Sequence, residues 1–157
     1  MNRKVLLIGG AGYIGSVVTR RLIKKNFDVT CLDNLIYKNS YSLGEFKKNN
    51  KFNFVLGDLR NESLMNKLLS KCDAVIILAG LVGDPITKKY PKESKEINYL
   101  ALKNFINKCN GKKIEKVIFI STCSNYGLID GNNIADENYI LKPLSDYAKY
   151  KIGRAHV

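Results

Sequence analysis

Short apolar runs rich in β-branched residues alternate along the whole chain with longer stretches of helical spacing. Strands are expected at Lys4–Ile8, Asp28–Leu32, Lys51–Leu56, Ala74–Ala79 and Lys116–Ser121. Helices are expected at Tyr13–Lys25, Asn61–Ser70 and Glu93–Cys109, with a weaker one near Leu43–Lys48. Because strands that are apolar on both faces and separated by helices pair in parallel, the pattern predicts an α/β fold with a doubly wound parallel sheet. Right-handed crossovers predict the strand order 3-2-1-4-5.

Composition narrows the class of protein and the chemistry available to it. The chain has 157 residues, of which 45% are hydrophobic and 25% charged, the balance of a soluble globular domain. Its single histidine, His156, excludes Ser-His-Asp hydrolases, Cys/His zinc sites and HExxH metalloproteases unless a partner chain supplies the missing groups. We therefore expect no metal site. The widely spaced Cys31, Cys72, Cys109 and Cys123 favour buried or half-buried thiols in a reducing cytoplasm over a disulfide framework.

The net charge of +12 raises the alternative of a nucleic-acid-binding protein. The lysines, however, occur in pairs spread over many segments, so nucleic-acid binding is not predicted. The apolar stretch Val5–Val18 contains spaced glycines and lacks an Ala-x-Ala cleavage site, which argues against a signal peptide. The next apolar run, Ala74–Gly83, is shorter than the roughly 20 residues that span a bilayer, so no membrane segment is predicted.

A glycine-rich turn joins the first predicted strand to the first predicted helix. Its sequence, Gly-Gly-Ala-Gly-Tyr-Ile-Gly, places glycines at Gly9, Gly12 and Gly15. Gly9 allows a sharp turn, Gly12 a close approach of the backbone to a pyrophosphate, and Gly15 close packing of the helix on the sheet. The phosphates are expected at the helix amino terminus, where free N–H groups and the helix dipole favour negative charge. The turn therefore predicts a dinucleotide-binding site of the Rossmann type.

Asp33 ends the second predicted strand, eighteen residues after Gly15. A carboxylate at this position can accept hydrogen bonds from both hydroxyls of the adenosine ribose, and it repels a 2′-phosphate. The sequence therefore predicts NAD as the cofactor in preference to NADP, with the nearby Lys38 opposing this preference. The alternative is a tight glycine turn with Asp33 capping a loop.

Two further strand ends carry candidate cofactor contacts. Asp58 ends the third predicted strand, where its carboxylate can accept a hydrogen bond from the adenine amino group. The alternative is that Asp58 is the N-cap of the helix that follows. Ala79 and Gly80 end the fourth strand, and their small size suits backbone lying against the nicotinamide side of the cofactor.

Three residues are candidates for the chemistry. Tyr147 and Lys151 are four residues apart, so they share one face of a helix. A fixed ammonium favours phenolate, and lowering the phenol pKa from about 10 to about 7 takes roughly 4 kcal/mol, which Lys151 and a nicotinamide cation can supply together. Tyr147 is then the base that takes a hydroxyl proton while the same carbon is oxidised by NAD. Thr122, past the fifth strand, can hydrogen-bond the reacting oxygen.

These motifs resemble those of the extended short-chain dehydrogenases/reductases, specifically the nucleotide-sugar epimerase and dehydratase group, over residues 1–151. The segments most similar to those of UDP-glucose 4-epimerases are Gly9–Gly15, Leu32–Leu35, Gly57–Asn61 and Ala79–Leu81. The resemblance implies a nucleotide-sugar substrate, a Rossmann domain followed by a substrate domain, and a homodimer of the full-length protein.

The resemblance also implies roles for individual residues. Thr122 corresponds to the family's hydroxyl residue, Tyr147 to its base, and Lys151 to the residue that tunes the base and holds the nicotinamide ribose. Asn98 matches the family's helix-four asparagine. Within the similar segments, further cofactor contacts are implied for Tyr13, Ile14, Asn34 and Leu59.

Two departures from the family pattern matter, the first for the reaction and the second for the packing of the cofactor. Cys123 and Ser124 stand where 4,6-dehydratases carry acidic residues, and elimination of water needs an acid and a base there, so a dehydratase is disfavoured. Ile77 replaces a histidine common in the family. The expected function is an NAD-dependent sugar-nucleotide 4-epimerase acting through a 4-keto intermediate. The alternatives are a one-way sugar 4-ketoreductase or dehydrogenase, and a non-catalytic NAD-binding or redox-sensing module.

The last six residues differ in character from the rest. Residues 152–157 have the sequence Ile-Gly-Arg-Ala-His-Val, which is what a widely used sequencing adapter encodes in one reading frame. We expect residues 1–151 to be an incomplete NAD-binding domain, truncated after the fifth strand, with the substrate domain missing. The fifth strand is then expected to present an open apolar edge, and the fragment is expected to be inactive.

Overall fold

The computed structural model describes residues 2–110 and 113–152. Its strands are β1 (Lys4–Ile8), β2 (Asp28–Asp33), β3 (Phe52–Leu56), β4 (Ala74–Ile77) and β5 (Lys116–Phe119). All neighbouring strands are parallel, and their order is β3-β2-β1-β4-β5. The doubly wound topology predicted from the alternating pattern is confirmed.

Helices connect the strands. They are α1 (Tyr13–Lys24), α2 (Glu62–Leu69), α3 (Asp84–Lys89), α4 (Pro91–Lys95), α5 (Leu102–Asn110) and α6 (Asp146–Ile152). Two 3₁₀ helices lie at Ser40–Phe46 and Cys123–Tyr126, and a π-helical segment at Glu96–Ala101 joins α4 to α5. In the part of the chain that the structure describes, no helix is long and apolar enough to cross a membrane.

The two faces of the sheet are covered by different hydrophobic clusters. Because successive side chains of a strand point to opposite faces, the neighbours Cys31 and Leu32 of β2 belong to different clusters. The larger cluster joins one face of the sheet to α2 and α5, with Met65 and Phe105 almost fully buried. The smaller one joins the other face to the 3₁₀ helix that contains Leu43. Both faces of the central strands are therefore buried, as a parallel sheet requires.

The parallel register brings the carboxyl ends of the strands to one edge of the sheet. Ile8 at the end of β1 lies opposite Leu32 in β2 and Ile77 in β4. Asp33 at the end of β2 lies opposite Leu56 in β3. The loops that carry the predicted site residues therefore meet at this edge, which is where ligands bind in open α/β sheets.

The fifth strand forms an edge of the sheet, next to β4. Its apolar side chains Val117 and Ile118, and Ile120 just beyond it, are 38%, 41% and 41% exposed. The predicted open apolar edge is confirmed. Edges of this kind can pair with further strands.

Two predicted strand ends are wrong by two residues. The fourth strand ends at Ile77 because the N–H groups of Leu78 and Ala79 both donate to the carbonyl of Ile8, at 2.8 and 3.0 Å, which interrupts the regular ladder. The fifth strand ends at Phe119 because its neighbour β4 has already ended opposite that residue. The remaining strand boundaries, and those of α1 and α2, agree with the prediction to within one residue.

The largest error in the predicted helices lies between β4 and β5. The sequence predicts one helix over Glu93–Cys109, whereas the structure begins with α3 and α4 and then passes through the π-helical segment into α5. Pro85 and Pro91 lie in the first turns of α3 and α4, where proline's missing N–H costs nothing. The weak helix expected near Leu43–Lys48 is the 3₁₀ helix Ser40–Phe46.

The cysteines are free thiols, as expected. Burial raises the pKa of Cys31 to about 12 and those of Cys72 and Cys109 to about 11, so these thiols stay protonated near neutral pH. The prediction that all four are buried or half-buried is wrong for Cys123, which is exposed at the start of its 3₁₀ helix.

Candidate functional site

A groove of about 680 Å³ runs along the carboxyl edge of the sheet. Its lining includes all of the predicted cofactor residues, namely Gly9, Gly12, Tyr13, Ile14, Gly15, Asp33, Asn34, Asp58, Leu59, Ala79, Gly80 and Lys151. Tyr147 also lines the groove. Residues that are far apart in the chain thus share one cavity, of the size that holds a small-molecule ligand or cofactor. Their contacts with a cofactor stay predictions.

The glycine-rich turn forms one wall of the groove at the amino terminus of α1. Gly9 has a φ of 83°, and a Cβ there would lie 2.5 Å from the backbone nitrogen of Ala79. Gly12 is the N-cap of α1, and no side chain of the described residues caps this helix end. Its first N–H groups are therefore available to an anion, so the turn fits the pyrophosphate of a dinucleotide.

Gly15 lies close to the backbone of the glycine turn. A Cβ at Gly15 would lie 2.6 Å from the carbonyl oxygens of Gly9 and Gly10. The glycine therefore lets α1 pack closely on the backbone that directly follows β1. Its predicted role in bringing the helix close to the sheet stays a prediction. This packing holds the amino terminus of α1 at the groove.

Asp33 is fixed by backbone N–H groups on both of its oxygens. Oδ2 accepts a hydrogen bond from Ala11 N at 3.0 Å, and Oδ1 accepts one from Leu35 N at 2.8 Å. A carboxylate oxygen can accept two hydrogen bonds, so each oxygen keeps one position for a ligand hydroxyl. The segment after β2 is tied to the same turn, because Asn39 and Ser42 both donate to the carbonyl of Ala11. This geometry fits the predicted ribose contact.

Asp58 is held by three donors of Arg60 and by Asn34. The guanidinium donates from Nε to Oδ1 and from Nη2 to Oδ2, each at 2.9 Å, and Arg60 N donates to Oδ1 at 2.9 Å. Asn34 Nδ2 donates to Oδ2 at 3.0 Å. The guanidinium holds the pKa of Asp58 well below its usual range. The alternative that Asp58 is a helix N-cap is wrong, because Asn61 caps α2 by accepting from Leu64 N.

The backbone just after Ala79 and Gly80 is held in place by Asn98 of the π-helical segment. Asn98 is fully buried, accepts a hydrogen bond from Leu81 N at 2.8 Å and donates to Leu81 O at 2.7 Å. A Cβ at Gly80 would lie 2.8 Å from Asn98 Oδ1. The buried amide of Asn98 therefore fixes the backbone after β4. In the sequence analysis, only the resemblance had pointed to Asn98.

Tyr147 and Lys151 lie on α6 and line the same end of the groove. Lys151 is 3% exposed, and its Nζ donates to the carbonyl of Ile120 at 3.2 Å. The ammonium lies 4.8 Å from the ring centre of Phe119 and 5.9 Å from that of Tyr147. The predicted sharing of one helix face is confirmed.

The pKa of Tyr147 is raised in the protein by itself, whereas the prediction of a lowered pKa applies to the site with a nicotinamide cation beside the phenol and stays a prediction. Partial burial raises the pKa of this phenol above its ordinary value, and the carboxylate of Asp84 raises it further. Burial disfavours the charged phenolate, and a nearby negative charge acts in the same direction. Asp84 is the first residue of α3, a helix that the sequence analysis missed, although Pro85 is a signal for its start.

Thr122 differs from the other candidates in its position. The groove lining includes the preceding Ser121 but, within the part of the chain that the structure describes, not Thr122. The Thr122 hydroxyl accepts a hydrogen bond from Ser124 N and donates to Ser124 Oγ, both at 3.2 Å. Ser121 Oγ accepts from the buried Asn125 at 2.9 Å. Sequence reasoning missed Ser121, and its position next to Thr122 was the available signal.

The chain is similar to known proteins in family, sequence and fold. The model of the NAD dependent epimerase/dehydratase family matches residues 5–156. A putative UDP-glucose 4-epimerase of Methanocaldococcus jannaschii is 32% identical over 98% of this chain and 49% of its own length. A dTDP-D-glucose 4,6-dehydratase of Dictyostelium discoideum is 32% identical over 99% of this chain and 39% of its own length. The chain thus spans about half the length, or less, of these curated relatives.

A solved structure shares the fold. The UDP-glucuronic acid 4-epimerase of Bacillus cereus, in complex with UDP-glucuronic acid and NAD, superposes with a TM-score of 0.88 at 29% identity. The match covers 98% of this chain and 50% of that one. Because the family model covers nearly the whole chain and the site has the expected glycine turn and acidic strand end, this chain belongs to the NAD-dependent epimerase/dehydratase family.

Proposed function

We propose that this chain is the cofactor-binding part of an NAD-dependent sugar-nucleotide 4-epimerase that acts through a 4-keto intermediate. The observation that carries the proposal is the convergence of Tyr147 and Lys151 on the groove that also holds the glycine turn and Asp33. A base and a dinucleotide site in one cavity support oxidation and reduction of a substrate hydroxyl.

In the proposed reaction, Tyr147 takes the proton from the 4-hydroxyl of the sugar and later returns it. The glycine turn and Asp33 would hold NAD in the groove, where the cofactor would supply a reversible hydride acceptor for the sugar carbon. Lys151 holds a positive charge beside the phenol, which favours the ionised form. Burial and the Asp84 carboxylate raise the pKa of Tyr147 even with Lys151 in place, so the proposal also needs the positive charge of the nicotinamide ring beside the phenol.

The identity of the residues after Thr122 supports an epimerase over a dehydratase. Elimination of water from the sugar needs an acid and a base near that position, and this chain has Cys123 and Ser124 there. Both enzyme classes occur among the relatives, so the family by itself does not separate them. Thr122 is proposed to hydrogen-bond the reacting oxygen, which requires its hydroxyl to leave Ser124.

The test is product analysis with the full-length protein that contains this sequence. UDP-glucose, UDP-N-acetylglucosamine and UDP-glucuronic acid are incubated without added NADH, and the 4-epimers are separated by chromatography. An epimerase gives an equilibrium mixture of 4-epimers while its NAD stays bound. Consumption of added NADH with one-way product formation identifies a ketoreductase, and loss of water identifies a dehydratase. Bound NAD without turnover of any sugar nucleotide supports the non-catalytic module.

The proposal also includes the organisation of the whole protein. We propose that residues 1–151 form the NAD-binding domain of a longer cytoplasmic chain that acts as a homodimer, and that residues 152–157 are foreign to it. Residues 153–157 lie outside the described part of the chain, so the support is their sequence alone. Sequencing of the genomic DNA beyond the Lys151 codon tests the boundary, and sedimentation of the full-length protein tests the dimer. Residues 1–157 alone are expected to catalyse no epimerisation.

A further inference from the structure

The hydroxyl of Ser121 lies at the groove with its proton unused. Ser121 lines the groove together with Tyr147 and Lys151. Its Oγ accepts a hydrogen bond from Asn125 Nδ2 at 2.9 Å, which is the hydrogen bond that this side chain makes within the described part of the chain. A serine hydroxyl has one donor and two acceptor positions, so a hydroxyl that accepts from an amide keeps its proton for another acceptor. Ser121 can therefore donate to a ligand in the groove.

The neighbouring hydroxyl of Thr122 is already engaged. It accepts a hydrogen bond from Ser124 N and donates its proton to Ser124 Oγ, within the 3₁₀ helix that Thr122 caps. Thr122 must release Ser124 Oγ before it can donate to a ligand. Ser121 needs no such change, so the two hydroxyls are not equivalent.

The side chain of Asn125 reaches Ser121 from behind. Asn125 is 6% exposed, and it is not among the described residues that line the groove. Its Nδ2 binds Ser121, whereas its buried Oδ1 has no hydrogen-bond partner among the described residues. An unpaired buried acceptor costs free energy, so packing alone does not explain a polar side chain at this position. The bond to Ser121 is the interaction through which this buried amide acts on the site.

The segment that carries Asn125 is also tied to the chain that leads into α6. The carbonyl of Asn125 accepts a hydrogen bond from Lys142 N at 3.0 Å. A Cβ at Gly127, where φ is 71°, would overlap the carbonyl oxygen of Lys142, so glycine is needed for the two segments to come this close. Tyr147 follows five residues after Lys142. Asn125 therefore links the position of the Ser121 hydroxyl to that of the Tyr147 phenol.

We propose that Asn125 is a positioning residue that holds the Ser121 hydroxyl with its proton directed into the groove, and that Ser121 donates a hydrogen bond to the reacting oxygen of the sugar. The inference rests on the proposed epimerase function and adds a hydroxyl to it beside Thr122. Ser121 keeps its proton throughout, while Tyr147 takes and returns the proton of the substrate. Because the reacting oxygen gains negative charge as its proton leaves, a donor that is fixed in advance stabilises the transition state.

The test is the steady-state kinetics of 4-epimerisation by the full-length protein, with whichever of the three sugar nucleotides the wild type turns over. Ser121→Ala is expected to lower kcat at least about tenfold, because a donor to the transition state is lost. KM and the Kd for NAD are expected to change less than about threefold. Asn125→Asp replaces the donating amide with a carboxylate of the same shape, which accepts the Ser121 proton and withdraws it from the groove. It is expected to lower kcat to a similar extent.

The double variant Ser121→Ala/Asn125→Asp separates positioning from a general loss of structure. Because Asn125 acts through Ser121, the double variant is expected to be no slower than the slower single variant. Ser70→Ala is a matched control that removes an exposed hydroxyl at the end of α2. Asn133→Asp adds the same negative charge at an exposed position of the loop that follows Asn125. Both controls are expected to keep the wild-type kcat, and unfolding temperatures check that all variants are folded.

Wild-type kcat in folded Ser121→Ala overturns the inference and leaves the proposed function in place. A weaker Kd for NAD with unchanged kcat overturns it as well, since it assigns the hydroxyl to the cofactor. Losses that multiply in the double variant make Asn125 a structural residue, which also contradicts the proposal. Ser121→Ala decides the catalytic part even where Asn125→Asp does not fold. Absence of epimerisation by the wild type overturns the proposed function itself, and the inference with it.

Discussion

The ammonium of Lys151 lies 5.9 Å from the centre of the Tyr147 ring and is anchored by donation to the carbonyl of Ile120. The two side chains are one helical turn apart on α6, so their separation is set by the helix. The carbonyl of Ile120 belongs to the segment just past β5. The sheet edge therefore fixes where the positive charge lies relative to the phenol.

Replacement of the phenol tests Tyr147 as the base. Tyr147→Phe removes the group that exchanges the proton, and we expect kcat of the full-length protein for 4-epimerisation to fall by at least about 100-fold. The matched control is Tyr150→Phe on the same helix, whose ring packs 6.1 Å from that of Tyr99. The control is expected to keep most of the activity. Wild-type turnover by folded Tyr147→Phe would exclude this base.

The charge of Asp84 gives a second test, with a defined sign. The Asp84 carboxylate raises the Tyr147 pKa, so Asp84→Asn lowers it. Activity that needs the ionised phenol rises as the pH increases through that pKa. The rising limb of kcat/KM against pH is therefore expected to move to lower pH in Asp84→Asn.

Two measurements check this expectation. The pH profile is compared with that of Glu93→Gln, which removes an exposed carboxylate from the neighbouring α4 and is expected to leave the limb in place. Ultraviolet titration of tyrosinate in Asp84→Asn and in the doubly substituted Asp84→Asn/Tyr147→Phe protein isolates the phenol. An unchanged limb, or one at higher pH, would contradict the assigned role of Asp84.

Local sequence was sufficient to predict the parts of the site that lie within one turn, at one strand end or on one helix. The glycine spacing predicted the turn from Gly9 to Gly15, and Asp33 followed from its position at a strand end. The helical spacing of Tyr147 and Lys151 likewise predicted a shared face. In each case the interacting atoms are close in sequence, or are placed by the regular register of the parallel sheet.

Contacts between distant segments could not be predicted in the same way. Asn34 reaches Asp58 across 24 residues, and Arg60 reaches Glu96 across 36. The rise of the Tyr147 pKa in the protein by itself was not predicted, because burial and the approach of Asp84 both depend on how α3 packs near α6. Such effects depend on tertiary distances, which hydrophobic periodicity does not determine.

The glycine turn offers a paired test of steric necessity. Gly15→Ala places a methyl group 2.6 Å from the backbone of Gly9 and Gly10, and backbone atoms there cannot move aside freely. We expect a loss of about 1–3 kcal/mol in the free energy of unfolding and weaker NAD binding, because the amino terminus of α1 is displaced. Denaturant unfolding and calorimetric titration measure the two effects.

Gly44→Ala is the control for that substitution. No atom of the described residues lies within 4 Å of a Cβ at Gly44, in the 3₁₀ helix Ser40–Phe46. Its unfolding free energy is expected to change by less than about 0.5 kcal/mol, with NAD affinity unchanged. Equal stability of Gly15→Ala and Gly44→Ala would show that α1 can move away from the turn without cost.

Asp33 is expected to make the site prefer NAD over NADP. Its carboxylate is held at the groove by N–H groups of Ala11 and Leu35, so it cannot turn away from a 2′-phosphate. Two negative groups in contact repel strongly, and we expect NAD to bind at least about tenfold more tightly than NADP. Asp33→Asn removes the negative charge and is expected to reduce the preference for NAD over NADP. Lys38→Ala removes a positive charge that would attract the 2′-phosphate, and it is expected to keep or increase that preference. Calorimetric titration with both nucleotides measures the ratios, and tighter binding of NADP to the wild type would exclude Asp33 as the selecting group.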